Sequence, residues 1–289
     1  MEIAVVGMGA VGSIIARELK KTEHTVTLFG RKEAAGFTIL EDGERMNYPY
    51  TIKNINAYDT SVKFDLIFIA TKATALKDLS EIIPELCHSG TEIILCQNGM
   101  GYDEWFNGSI PAVVYISGQK HSDMIEHFQD SRLIVENKNY TYLDPLIENI
   151  ITTELEIIKS SDFEKLRYEK LLINLGINTL TGLTGNTAKI FDLEEVAELT
   201  AKLLDEGIQI VNQSRKIIDS DFMDKALSIY NDYNREMGTS MYYDITAAKP
   251  TEFEFIQKYL HNHKGDVSTP VLDICTVLLG AYEYERDQR

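Results

Sequence analysis

The opening residues constrain the fold more than any other stretch of the chain. A short apolar run, Ile3–Val6, leads directly into a GxGxxG segment at residues 7–12, and apolar residues at helical spacing follow. A strand, a GxGxxG segment and a helix in this order form the dinucleotide-binding fingerprint. The glycines permit a tight turn, and the helix N-terminus presents N–H groups to a pyrophosphate. We therefore predict a doubly wound α/β domain with a mostly parallel sheet, the alternative being a structural glycine-rich turn. The predicted cofactor contacts are Gly7, Met8, Gly9, Ala10, Val11 and Gly12.

The next strand, Thr25–Phe29, indicates which nucleotide is preferred. Chains that bind NAD place an Asp or Glu at the end of this strand, where it holds the ribose hydroxyls. Here Arg31 and Lys32 occupy that position, and the first carboxylate is Glu33. Because a cationic pair suits a 2′-phosphate, we expect NADP(H), with Arg31 as its main contact. The alternative is that both cations are solvated loop charges.

Two further apolar runs end in polar residues at the edge where such a sheet binds ligands. Phe64–Ala70 leads into Lys72, and Ile93–Cys96 leads into Asn98. Ligands of doubly wound sheets lie outside the carboxyl ends of the strands, so we expect Lys72 and Asn98 beside the cofactor. Lys72 as a plain loop residue, and Asn98 as the cap of its own turn, are the alternatives. Three later segments are expected to complete this sheet, partly antiparallel: 112–116, 132–135 and 154–158.

The character of the chain changes after residue 159. Ser161 as N-cap and Glu164 three residues later form a capping box, which predicts a helix start. All of the longer hydrophobic patterns that follow have helical spacing. We therefore predict a Rossmann-type nucleotide-binding domain at 1–159 and an all-helical domain at 160–289, with the active site in the cleft between them.

The first helix of the second domain carries a polar stripe. Lys170, Asn174 and Asn178 recur every four residues in an otherwise apolar run, and a step of four returns to nearly the same helix face. The run is typical of a mostly buried helix, whose polar groups need partners. A ligand or the neighbouring backbone could supply them. Residues 238–245 are expected to be non-helical. Glu252 is expected in the first turn of a later helix, where its carboxylate could simply interact with the helix dipole instead of taking part in a site.

Composition excludes several classes of protein. The net charge of −17 argues against a nucleic-acid binder, which needs clustered Lys and Arg. The three cysteines lack CxxC spacing, which predicts reduced thiols in a cytoplasmic protein and neither a disulfide framework nor a metal site. No apolar run reaches the ~18 residues of a membrane span. The oligomeric state stays open, a homodimer being one option.

Taken together, these residues resemble the ketopantoate reductase (2-dehydropantoate 2-reductase) family over most of the chain. The motifs that carry the resemblance are Gly7-x-Gly9-x-x-Gly12, Arg31, Thr71-Lys72-Ala73, Gln97-Asn98-Gly99-Met100-Gly101, Lys170-x-x-x-Asn174-x-x-x-Asn178 and Ser240-Met241…Asp244-Ile245…Pro250-Thr251-Glu252. The resemblance implies a Rossmann domain followed by a helical domain. It also implies NADPH-dependent reduction of ketopantoate to pantoate, on the route to pantothenate and coenzyme A.

The resemblance further implies a role for each matching residue. Lys170 matches the lysine that protonates the keto oxygen as hydride reaches the carbon, and Glu252 matches the acidic residue that holds the substrate hydroxyl and the lysine. The positions that line the substrate or nicotinamide site are matched by Asn98, Asn174, Asn178 and Ser240. Those that hold the adenosine phosphate end are matched by Arg31 and Lys72. An ammonium aimed at the carbonyl oxygen stabilises the negative charge that develops there.

One segment departs from the family pattern. Residues 112–126 lack the Gly/Ala/Thr-rich sequence usual in a region that approaches the substrate. Two alternatives to ketopantoate reduction therefore stay open: a related NADPH-dependent reductase of another small 2-oxo acid, and a catalytically silent NADP-binding redox sensor.

Overall fold

A computed structural model describes residues 1–59 and 61–288 of the chain. The chain divides into two compact units, each with its own apolar core. The sheet unit comprises Met1–Gln97 and Tyr102–Phe163, and the helical unit comprises Asn98–Gly101 and the chain from Glu164 onward. The short segment 98–101 therefore belongs to the helical unit, although the chain on both sides of it belongs to the sheet unit.

The sheet unit alternates strands and helices. In chain order its elements are β1 (Glu2–Val6), α1 (Ala10–Leu19), β2 (Thr25–Gly30), β3 (Phe37–Glu41), β4 (Glu44–Tyr48), β5 (Ile52–Asn54), β6 (Phe64–Ile69), α2 (Leu76–Ile82), β7 (Cys87–Leu95), β8 (Ile110–Pro111), β9 (Val113–Lys120), β10 (Ile125–Glu136), α3 (Leu143–Asn149) and β11 (Glu156–Ser160).

The first sheet is a six-stranded parallel sheet in the order β5-β2-β1-β6-β7-β8. This is the doubly wound arrangement, in which strand order reverses beside the first strand and leaves a crevice at the carboxyl ends. In β6 five of the six residues are buried, as a strand covered on both faces requires. The predicted mostly parallel α/β sheet is confirmed.

The strands predicted to complete that sheet form a second sheet instead. Its order is β11-β10-β3-β4, with β9 paired antiparallel to β10. The prediction was wrong because apolar alternation indicates that a strand exists and says nothing about its partner. The hairpin of β3 and β4 was missed, although its turn at Asp42-Gly43, with φ of 49° and 81°, carries a typical Asp-Gly signal.

Helix α1 contacts strands of both sheets, and every residue from Gly12 to Leu19 is buried. Arg17 is one of these buried residues, and its guanidinium forms ion pairs with three carboxylates. They belong to the neighbouring Glu18, to Glu41 at 2.8 Å and to Glu154 at 2.9 Å. His127 also contacts Glu41. A buried guanidinium needs such partners, since an unpaired buried charge is strongly unfavourable.

The helical unit contains six α-helices among the described residues. They are α4 (Phe163–Thr184), α5 (Glu194–Asn212), α6 (Phe222–Asp232), α7 (Ser240–Thr246), α8 (Gln257–Asn262) and α9 (Pro270–Asp287). The predicted helical character of this part of the chain is confirmed. Helix α4 begins one residue later than a cap at Ser161 implies, and it ends before Gly185, whose φ is +61°.

Two local predictions in the helical unit were wrong. The segment expected to be non-helical contains α7, whose N-cap Thr239 accepts a hydrogen bond from the Tyr242 amide at 3.3 Å. Thr is a common N-cap residue and can mark the start of a helix, but the prediction did not use this signal. Glu252 precedes a 3₁₀ turn at Phe253–Phe255, because the backbone of Ile256 is non-helical and separates that turn from α8.

Candidate active site

The glycine-rich loop after β1 forms a cradle that side chains would fill. Gly7 has φ of +102°, and a Cβ there would lie 2.6 Å from the Thr71 nitrogen. A Cβ on Gly12 would lie 1.9 Å from the Gly7 carbonyl oxygen. Within the described residues no side chain caps the N-terminus of α1 at Gly9. Bare backbone at a helix N-terminus fits a phosphate group, so the loop suits the dinucleotide predicted from sequence.

Two buried polar atoms lie at the carboxyl edge of the parallel sheet, next to this loop. Gln97 joins the ends of β6 and β7, because its amide nitrogen donates to the Ile69 carbonyl at 2.7 Å and to the Thr71 carbonyl at 3.1 Å. The other amide atom, Gln97 Oε1, and the hydroxyl of Thr71 have no hydrogen-bond partner in the part of the chain that the structure describes. Buried polar atoms normally have partners, and a bound cofactor could supply them at this edge.

Three cations surround this edge. Arg31 directly follows β2, and Lys72 immediately precedes a 3₁₀ turn after β6; both are exposed. Lys120, at the end of β9, places its ammonium 2.6 Å from the Met8 carbonyl in the glycine-rich loop. The sequence reading missed Lys120, and its only signal was the atypical segment 112–126, which contains it. The structure thus shows that Lys120, in this segment, contacts the glycine-rich loop.

A second polar cluster lies in the helical unit. The Asn174 amide donates to Asn98 Oδ1 at 3.4 Å, and the Asn98 amide donates to Glu252 Oε2 at 3.3 Å. Asn174 and Glu252 are 9% and 7% exposed. Each amide nitrogen therefore donates to the next side chain, from Asn174 to Asn98 and from Asn98 to Glu252, and these hydrogen bonds orient the three side chains. Three residues predicted from distant motifs are therefore in direct contact.

The segment 98–101 is held close to the chain that follows Glu252. The Met100 amide donates to the Phe255 carbonyl at 2.8 Å. Gly99 has φ of +87°, and a Cβ there would lie 2.5 Å from the same carbonyl oxygen. Gly99, the residue after Asn98, thus permits a close backbone approach, and the Asn98 side chain lies at Glu252.

Helix α4 places Lys170 one turn before Asn174 and Asn178 one turn after it. Lys170 is half-buried and Asn178 is 4% exposed. The hydroxyls of Thr181 and Thr239 lie 2.7 Å apart, which ties the last turns of α4 to the start of α7. Ser240, the first residue of α7, is exposed beside that link.

The remaining predicted features concern metals and thiols. All three cysteines are free, and burial raises the pKa of the Cys96 thiol far above its ordinary value, so this thiol stays neutral. A search of residues 1–59 and 61–288 finds no group of His, Cys, Asp and Glu side chains that could hold a metal ion.

Comparison with known proteins decides what this arrangement belongs to. Residues 3–135 match the sequence model of the family described as ketopantoate reductase PanE/ApbA, and residues 162–283 match that of its C-terminal part. The chain belongs to the ketopantoate reductase family. As a member of this family it is an oxidoreductase that uses a nicotinamide cofactor, and the uncapped glycine-rich loop fits that cofactor.

Individual relatives span the whole chain. The 2-dehydropantoate 2-reductase of Mycobacterium tuberculosis is 24% identical over 96% of this chain and 97% of its own length. A solved structure described as a dimeric ketopantoate reductase from Staphylococcus aureus has a TM-score of 0.91 and 32% identity, covering 99% of this chain and 100% of that one. A D-mandelate dehydrogenase with NADH and anilino(oxo)acetate shares the fold, with a TM-score of 0.88 and 20% identity over 99% of both chains.

None of the helices among the described residues is long and apolar enough to cross a membrane.

Proposed function

We propose that this protein is a cytoplasmic NADPH-dependent reductase that converts 2-dehydropantoate (ketopantoate) into pantoate, in the biosynthesis of pantothenate and coenzyme A. The observation that carries the proposal is the hydrogen-bonded set of Asn98, Asn174 and Glu252, in which Asn174 lies on the helix that also carries Lys170. A reductase of a 2-oxo acid needs a proton donor together with groups that orient a carboxylate and a hydroxyl. A silent redox sensor needs no such set.

The nicotinamide supplies a hydride to the keto carbon when the cofactor is bound. Lys170 donates its ammonium proton to the keto oxygen, which becomes the hydroxyl of the product, and the resulting amine regains a proton from solvent. Until this proton is transferred, the ammonium stabilises the negative charge that develops on the keto oxygen as the hydride adds to the carbon. Asn98 and Asn174 orient the substrate without adding a charge, and Glu252 accepts a hydrogen bond from its hydroxyl.

The proposed preference for NADPH rests on charge at the end of β2. Arg31 and Lys32 stand where an NAD-binding chain would place a carboxylate, and a guanidinium pairs well with a 2′-phosphate. Lys72 follows β6, which flanks β1 on the side opposite β2, and it would hold the same adenosine phosphate end. Lys120, beside the Met8 carbonyl, adds a fourth cation, which lies close to the pyrophosphate position.

The decisive experiment measures NADPH oxidation with ketopantoate and with a panel of other 2-oxo acids. The panel should include an aryl 2-oxo acid, because this fold is also that of a D-mandelate dehydrogenase. We expect the highest kcat/KM with ketopantoate and a loss of at least ~100-fold in kcat for Lys170→Ala, with NADPH binding nearly intact. A higher kcat/KM with another member of the panel would replace ketopantoate as the substrate. Tight NADPH binding without turnover would favour the redox sensor.

We further propose that two copies associate through α9. Its inner face, with Leu272 and Leu279, is buried, whereas Ile274, Val277 and Leu278 are 63%, 70% and 51% exposed. These three residues share one face, because they follow a spacing of three and four. Clustered exposed apolar residues mark interaction sites, and the similar ketopantoate reductase of Staphylococcus aureus is described as dimeric. A second copy of this chain is therefore the proposed occupant.

A further inference from the structure

The phenol of Tyr230 lies against the backbone of α4 in the middle of the polar stripe. Tyr230 belongs to α6 and is 2% exposed. Its hydroxyl donates to the Ile173 carbonyl at 2.8 Å and lies 3.5 Å from the Leu172 carbonyl. In a regular α-helix the Ile173 carbonyl already accepts a hydrogen bond from the Ile177 amide, so the phenol is a second donor to this carbonyl.

Gly176 makes room for this contact. A Cβ at this position would lie 2.3 Å from the Tyr230 oxygen and 2.9 Å from the ring carbon that carries it. Glycine is unfavourable inside a helix, and Gly176 lies well inside the 22-residue α4. The approach of the phenol accounts for a glycine at this point, because any larger residue would push the ring away from the helix.

The ring and its proton are both held in place. Phe191 stacks on the Tyr230 ring, with centroids 5.5 Å apart and an angle of 19° between the planes. Burial raises the pKa of the Tyr230 phenol far above its ordinary value, so the hydroxyl keeps the proton that it donates to Ile173. Ionisation of the phenol therefore does not break this contact near neutral pH.

The turn that begins at Ile173 links the functional side chains, because Ile173 immediately precedes Asn174 and Ile177 immediately precedes Asn178. A second donor tilts a helix carbonyl outward and lengthens its helical hydrogen bond, which curves the helix at that point. Curvature here changes the angle between the two asparagines. We propose that Tyr230 is a positioning residue that sets the direction of Asn174, and of Lys170 one turn before it, relative to Asn178.

The catalytic consequence of this inference rests on the proposed function, so the experiment has two independent readouts. Tyr230→Phe removes only the phenol oxygen and leaves the Ile173 carbonyl with its helical partner alone. In a crystal structure of this variant we expect a shorter hydrogen bond from the Ile177 amide to the Ile173 carbonyl and a changed separation of the Asn174 and Asn178 side chains. In steady-state kinetics with the substrate identified above, we expect kcat to fall about tenfold or more, because small misplacements of catalytic groups are costly. The NADPH Kd should stay within about twofold of wild type, since the glycine-rich loop lies in the other unit.

Tyr140→Phe is the matched control. It removes the same hydroxyl from a hydrogen bond of similar length, 2.9 Å to the Glu136 carbonyl, in the sheet unit. We expect its kcat to equal that of wild type, and both variants to lower the Tm by no more than about 4 °C. A purely structural role for Tyr230 predicts that kcat follows Tm in both variants alike.

A second variant tests the same contact from the other side. Gly176→Ala retains the phenol but displaces it, so we expect kcat to fall while the NADPH Kd is unchanged. The double variant Gly176→Ala/Tyr230→Phe should lose less kcat than the product of the two single losses. The reason is that the Tyr230 oxygen, the atom closest to the new Cβ, is then absent. Wild-type kcat in Tyr230→Phe, or a fall in kcat with α4 unchanged in the crystal, would overturn the inference. If the wild-type protein reduces no 2-oxo acid, the proposed function fails, whereas the geometry of α4 in the variant still decides whether Tyr230 positions the asparagines.

Discussion

Replacing Glu252 by glutamine removes the charge from the polar cluster with almost no change of shape. The Glu252 carboxylate accepts a hydrogen bond from the Asn98 amide at 3.3 Å and is only 7% exposed, so solvent screens it little. A hydrogen bond to a charged group contributes about 1.5–3 kcal/mol, and a neutral one about 0.5–1.5 kcal/mol. The difference, about 1–1.5 kcal/mol, corresponds to a loss of roughly tenfold in kcat/KM if the bond orients Asn98 in the transition state.

Glu252→Ala should cost more than Glu252→Gln. Alanine removes the acceptor as well as the charge and leaves the Asn98 amide without this partner, which adds about 1–3 kcal/mol. We therefore expect a loss of about 100-fold or more in kcat/KM for the alanine variant. The assay is the initial rate of NADPH oxidation with varied 2-oxo acid, together with an equilibrium titration of NADPH that should show an unchanged Kd.

Glu254→Gln is the control for this experiment. Glu254 lies two residues further on, is 53% exposed and pairs with Lys258 at 2.7 Å. Exposed ion pairs contribute little, so the variant should keep kcat/KM within about twofold of wild type. If Glu252→Gln also stays within twofold, the carboxylate does not orient Asn98 during the reaction and the reasoning is refuted.

Three further predictions concern the cofactor, pH and assembly. Arg31→Ala should raise the Kd of NADPH much more than that of NADH, measured by fluorescence titration, because NADH lacks the 2′-phosphate; equal losses would refute this contact. Burial alone would raise the pKa of Glu41, but His127 and Arg17 outweigh it and lower the pKa below 4.5, its ordinary value. A carboxylate with a lowered folded-state pKa stabilises the protein above its unfolded pKa and loses this contribution as pH falls through the folded value. The Tm values of wild type and Glu41→Gln should therefore converge as the pH falls below about 4.5. A Tm difference that stays constant over this range would contradict the ion-pair argument. Finally, Val277→Glu should convert a dimer to a monomer in sedimentation velocity, whereas Ile151→Glu, at a residue 79% exposed in the sheet unit, should leave the mass unchanged; a monomeric wild type would exclude α9 as an interface.

Local patterns predicted the elements of this fold better than their partners. The alternation in 112–116 and 132–135 indicated strands correctly, but pairing is a long-range property, and these strands lie in a second sheet with β3. That second sheet also explains why α1 is buried on all sides, including the charged Arg17, which a helix at the surface of a single sheet would expose. The start of α7 was missed because a single Thr N-cap is a weaker signal than a capping box.

The sequence by itself determined the dinucleotide-binding fold, because the strand, the glycine-rich turn and the helix are adjacent in the chain and each is specified by local chemistry. It also determined that Lys170, Asn174 and Asn178 share a face, because helical periodicity is local. Only the tertiary structure decided that Asn98 joins Asn174, 76 residues away, and Glu252, 154 residues away. It alone brought Lys120 to the Met8 carbonyl and the Tyr230 hydroxyl to the Ile173 carbonyl. Such contacts depend on how distant segments pack, and no spacing within one segment encodes them.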